Sequence, residues 1–137
     1  MQLRGVLNAG MIIFRKLSTN TGEVFIISGY MVRKKSEGSF VDMAPGIKRR
    51  TMANGDKTII CEFRFTKGAV VPLHSHLYEQ TGFLISGRLI FTIDGDKIEV
   101  TPGGSWCIKA DVPHSAEVPE ETVLVEAFSP VREDYLK

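Results

Sequence analysis

Short segments in which apolar and polar positions alternate follow one another along the chain, each closed by Gly, Asn, Asp or Pro. No long run carries a 3.6-residue apolar period, so the pattern is that of strands and not of helices. It predicts strands at 11–17, 24–32, 47–52, 57–65, 70–76, 80–86, 88–93, 97–101, 105–108, 114–118 and 122–128. So many short strands separated by turn residues predict an all-β antiparallel sandwich or barrel. Asp94-Gly95 stands between two of them, and Asp-Gly is favoured in the two-residue hairpin turn because both positions need a positive φ.

A polar stretch at 33–39 sets the first part of the chain apart. The expected organisation is a single domain over 1–137, with an N-terminal strand arm (1–39), a barrel (40–130) and a C-terminal tail (131–137). Such an arm covers a sheet edge, its own or a partner's, and its exchange between subunits would build a homodimer. The chain has 17 Lys and Arg against 16 Asp and Glu, so no global field draws it to nucleic acid or to an anionic membrane. The runs Arg33-Lys34-Lys35 and Lys48-Arg49-Arg50 read as solvated faces, with Arg49 or Arg50 as the alternative cation for an acidic ligand. The apolar stretch 6–14 is far shorter than the ~20 residues of a membrane span. Cys61 and Cys107 stand in neither metal nor redox spacing, which suits a reducing cytoplasm.

All three histidines, His74, His76 and His114, fall in or beside predicted strands. At i and i+2 on a strand, His74 and His76 share one face; two reversals later, His114 can return beside them. Two such histidines alone are also compatible with ordinary strand positions, but the gathering of every histidine in the chain points to a metal cluster. The same parity puts His74, His76, Tyr78 and Gln80 on one face, which favours Gln80 over Glu79 as a fourth ligand through its amide oxygen.

Gly68, five residues, His74-Ser75-His76, three residues, Gln80, six residues and Gly87 resemble the first motif of the cupin superfamily, with Gln in place of its usual Glu. Gly103 and His114 stand at the spacing of the second motif, while Lys109, Asp111 and Val118 depart from its usual Pro, Gly and Asn. The resemblance covers roughly 47–128 and implies a small antiparallel jelly-roll barrel holding one metal by His74, His76, Gln80 and His114. Three imidazoles and an amide are neutral, so a divalent ion there keeps its full charge and welcomes an anion. Mixed N and O ligation suits Mn, Fe, Ni, Co or Zn, with two open positions on a six-coordinate ion.

The segment after 122 is similar to the tail of a cupin subfamily in pectin and alginate breakdown, whose members open 4,5-unsaturated uronates to the linear keto form. Glu126, Phe128 and Arg132 match its Asp, Phe and Arg by spacing, with one methylene more at Glu126. The resemblance implies Glu126 as proton carrier, Arg132 as partner of the substrate carboxylate, and Phe128 packed on the sugar ring. Tyr78 joins the substrate-binding set, and Trp106 is a candidate for the pocket mouth or for plain core. The expected ligand is a small anionic sugar acid. The alternatives are a metal-dependent dioxygenase, using the two open positions for substrate and O2, and a non-catalytic sugar-acid binding module.

Overall fold

The computed structural model describes residues 15–19, 22–27, 30–34 and 38–137. Three strands come first, β1 (Arg15–Thr19), β2 (Gly22–Ile27) and β3 (Tyr30–Arg33), joined as an antiparallel sheet in the order β1-β2-β3. Ten more strands follow: β4 (Val41–Ala44), β5 (Ile47–Asn54), β6 (Ile59–Phe65), β7 (Val70–His74), β8 (Glu79–Ser86), β9 (Leu89–Ile93), β10 (Asp96–Val100), β11 (Ser105–Ile108), β12 (His114–Glu117) and β13 (Thr122–Ser129). They form a four-stranded sheet, β10-β9-β12-β7, and a six-stranded sheet, β11-β8-β13-β6-β5-β4. From β7 onward the chain passes repeatedly between the two sheets, which is the winding of a jelly-roll barrel.

Alternation explains why these strands pack as they do. In β6, Ile59, Cys61, Phe63 and Phe65 are buried on one face; in β13, Thr122, Leu124 and Phe128 are. Leu89 and Phe91 answer from the four-stranded sheet, and the Phe91 and Trp106 rings meet edge to face at 5.1 Å between the two sheets. The hairpin at Asp94-Gly95 turns as its sequence predicts, with φ of 48° and 88° and with Asp96 paired to Ile93.

Three expectations need correction. The predicted strand at 24–32 is two strands, β2 and β3, paired antiparallel with Val24 opposite Arg33; part of the first predicted strand, 11–14, lies outside the described residues. A strand at Val41–Ala44 was not foreseen, because as the exposed edge of the six-stranded sheet it has no buried face and so no alternation to read. The basic run at 48–50 is not a solvated face. Arg49 is 2% exposed, and Arg50 forms an ion pair with the buried Glu62. Period-2 parity turns Arg49 inward with Ile47, where a guanidinium is stable only because hydrogen bonds meet it. Beside that run, Arg33 of β3 donates to the Thr51 carbonyl at 2.8 Å and ties the first sheet to β5.

No helix among the described residues is long and apolar enough to cross a membrane.

Candidate metal centre and cavity

The last residue of β7 is His74 and the first of β12 is His114; the two face each other in register across adjacent strands. His76 lies beyond β7, on the turn into β8, where the Asp111 amide holds its carbonyl at 2.7 Å. The strand therefore does not run on to Gln80, and the parity that linked His74 to Gln80 does not exist. Gln80 points inward because it opens a new alternation in β8, buried with Leu84 while Glu79, Thr81 and Phe83 are exposed.

The ligand atoms of His74, His76 and His114 all lie within 4.8 Å of one another. Each ring has its Nδ1 against a backbone carbonyl: His74 on Pro72 at 2.8 Å, His76 on Tyr78 at 2.9 Å and His114 on Val112 at 2.9 Å. A carbonyl only accepts, so each Nδ1 carries the proton and each Nε2 presents a lone pair. Burial lowers the pKa of His114, and burial followed by the nearby Arg132 charge lowers that of His76, which favours the neutral rings a metal needs.

Gln80 supplies the sharpest test of the site. Its Nε2 donates to Glu126 Oε1 at 2.9 Å, which leaves its Oε1 2.9 Å from His76 Nε2. With His76 neutral and its Nδ1 committed, two lone pairs face each other at hydrogen-bond distance. A divalent cation coordinated by both would relieve that opposition, so three imidazoles and one amide oxygen fit such an ion.

These groups line a cavity of about 200 Å3 inside the barrel, walled by Ile47, Phe63, Phe65, Leu89, Phe91 and Leu124. Glu126, Phe128 and Arg132 line it too. Glu126 keeps some accessible surface toward this space, yet burial pushes its carboxyl up to about 7, against the opposing pull of Trp106, Arg132 and Gln80. Its second oxygen has no hydrogen-bond partner among the described residues. Arg132 sits 3.8 Å over the Tyr135 ring and 5.3 Å over that of Phe128, with Asp134 accepting from its Nη2 at 2.9 Å. It stands at the start of a short 3-10 turn, Glu133–Tyr135, with its side chain held by Asp134 and the Tyr135 ring. Tyr78 is not a wall of the cavity; it carries Arg132 at 5.0 Å over its ring and accepts from His76 through its carbonyl.

Trp106 and Arg49, both named from the sequence, make contacts that the sequence does not foretell. Trp106 donates its indole N–H to Glu126 Oε1 at 3.0 Å, and Arg49 holds the C-terminal turn by donating to the Tyr135 carbonyl at 2.7 Å. Neither contact has a local sequence signal, since each joins elements far apart in the chain.

A cupin-domain family model matches residues 61–128, the stretch that contains every candidate ligand. The chain is a cupin. Among curated proteins it is similar to the pectin degradation protein KdgF of Dickeya dadantii (strain 3937), 28% identical over 102 residues, covering 73% of this cupin and 93% of that protein. Among solved structures, an RmlC-like cupin from Shewanella frigidimarina superposes with a TM-score of 0.72 at 27% identity, covering 75% of this chain and 93% of that one. KdgF from Halomonas sp. follows at a TM-score of 0.67 and 28% identity, covering 70% and 89%. The cupin thus resembles the pectin-degradation proteins in both sequence and structure.

Proposed function

We propose that this cupin opens the ring of a 4,5-unsaturated uronate to its linear keto form. The observation that carries the reading is one cavity onto which the histidine cluster, the Glu126 carboxyl and the Arg132 guanidinium all open; similarity to KdgF supports the substrate class.

Held by His74, His76, His114 and Gln80, all neutral, a divalent cation would supply Lewis acidity with its charge undiminished. The remaining roles belong to the chain. Arg132 pairs with the substrate's C6 carboxylate, using the N–H groups that Asp134 leaves open. Phe128 packs against the ring and excludes water. Glu126, a carboxyl poised near neutrality, takes the proton of the anomeric hydroxyl through its free oxygen. The C1–O5 bond breaks, C1 becomes the aldehyde, and the electron pair stays on O5 as an enolate. Return of the proton to C4 gives the C5 ketone, so the reaction is a balanced isomerisation with no co-reactant.

The test is loss of the ultraviolet absorbance of the conjugated C4–C5 double bond, compared with the spontaneous rate. Acceleration by metal-loaded protein is expected. Stoichiometric metal with only the spontaneous rate would overturn the reading, and oxygen uptake in its place would move the assignment to a dioxygenase.

A further inference from the structure

Trp106 in β11, Gly82 in β8 and Glu126 in β13 stand side by side in one row of the six-stranded sheet, Gly82 in register with both of its neighbours. The outer two belong to strands that are not neighbours in the sheet. With neighbouring strands about 4.8 Å apart, their backbones are separated by roughly 10 Å. The indole spans that gap because Gly82 has no side chain: a Cβ there would lie 2.2 Å from the ring. At the far end, the indole N–H and the Gln80 amide N–H converge on the same oxygen, Glu126 Oε1, at 3.0 and 2.9 Å.

An amide is useful to a cation through one end only. Turned by half a revolution, Gln80 would present N–H donors to the histidine cluster and repel any positive ion. Glu126 Oε1 can only accept a hydrogen bond while the carboxyl is ionised, so it selects the turn in which the Gln80 nitrogen faces it and the Gln80 oxygen faces His76.

We infer that Trp106 is a positioning residue, reaching over Gly82 to hold the Glu126 carboxyl, which in turn fixes the end of the Gln80 amide turned toward the histidines. The inference rests on the metal reading of the cluster and not on ring opening. It divides Glu126 between two tasks: Oε1 orients a ligand, while Oε2 is left for the proton.

Calorimetric titration of the chelator-stripped full chain with Co(II) tests this. Glu126→Met keeps the volume and removes the acceptor, and should weaken Co(II) binding at least 10-fold, within the ~10–100-fold range for groups that support a ligand. Trp106→Phe should weaken it in the same direction by less. Glu126→Gln keeps an oxygen where Oε1 stands and should bind Co(II) within about threefold of wild type. Gln80→Glu added to Glu126→Met should restore affinity, because a carboxylate has no wrong end. Trp106 is the chain's single tryptophan, so its indole N–H gives one resonance by 15N NMR, expected to move in Glu126→Met and to hold in Glu126→Gln. Wild-type affinity in Glu126→Met, an indole resonance unmoved by that change, or a loss that Gln80→Glu fails to repair would each overturn the inference. Failure of the wild-type chain to bind Co(II) would overturn the metal reading on which it stands, whereas absence of ring opening alone would leave it intact.

Discussion

Arg49 Nη1 donates to the backbone carbonyl of Tyr135, 86 residues further on, and its guanidinium lies 4.2 Å over the ring of the same residue. The buried cation thereby fastens the C-terminal turn to β5, and the turn carries Arg132. Thr51 donates to the same carbonyl, and Arg49 Nη1 also donates to the Thr51 hydroxyl at 2.6 Å. A hydrogen bond made by a charged group contributes about 1.5–3 kcal/mol. Arg49→Met should therefore lower stability by about 2 kcal/mol in urea unfolding and raise KM, with kcat changed less. An unchanged KM would separate the turn from substrate binding.

Arg132→Ala removes the cation that faces the cavity while leaving the histidine cluster whole. Loss of a charge-assisted pair with the substrate carboxylate should raise KM about 10- to 100-fold. Metal content, measured on the same sample, should not fall.

Glu126→Gln should lower kcat at saturating metal by about 100-fold or more, the scale of a lost proton-transfer group. Since the variant keeps its oxygen toward Gln80, the defect belongs in turnover and not in loading. A wild-type kcat would remove Glu126 from the reaction.

In the metal-free protein, pH acts through groups of opposite sign. Glu126 has its folded pKa raised to about 7, chiefly by burial, so the folded state holds the proton more tightly than the unfolded chain. Its contribution to stability is present at acid pH and is lost as pH rises from the ordinary carboxyl value through about 7. His76 and His114, with pKa values lowered by burial, lose stability as pH falls through the unfolded histidine value. The difference in unfolding free energy between wild type and Glu126→Gln isolates the carboxyl, and it should shift against wild type as pH rises from about 4.5 to about 7. A flat difference would contradict the raised value.

On the outer face of the six-stranded sheet, Glu62 accepts from Arg64 at 2.9 Å and also pairs with Arg50, with its own side chain only 9% exposed. Burial would raise its pKa, but the two arginines together hold it below the usual carboxylate range. Glu62→Gln should cost about 3 kcal/mol, in the range for breaking a buried pair. Because the native pair needs an ionised Glu62, the gap between wild type and variant should close as pH falls through the carboxylate range.

The sequence by itself determined the class of fold, since a period of two cannot be satisfied by a helix. It determined the hairpin at Asp94-Gly95, because few pairs tolerate two positive φ angles. It also marked His74, His76 and His114, the chain's whole stock of imidazole, as one cluster. For Gln80 the motif spacing holds but the parity does not: the chain turns after His74, and a new strand supplies the inward direction. Only the tertiary structure shows that Arg49 is buried and that Arg50 has a partner. Both look like surface charge until the C-terminal turn is fastened over Arg49 and Glu62 of β6 pairs with Arg50. It alone decided that Trp106 meets Glu126, because that contact needs three strands in one row and a glycine in the middle. Periodicity is a property of neighbours along the chain and can be read from it. Hydrogen bonds between residues 20, 46 or 86 positions apart depend on how sheets pair and close, and only the folded barrel contains that.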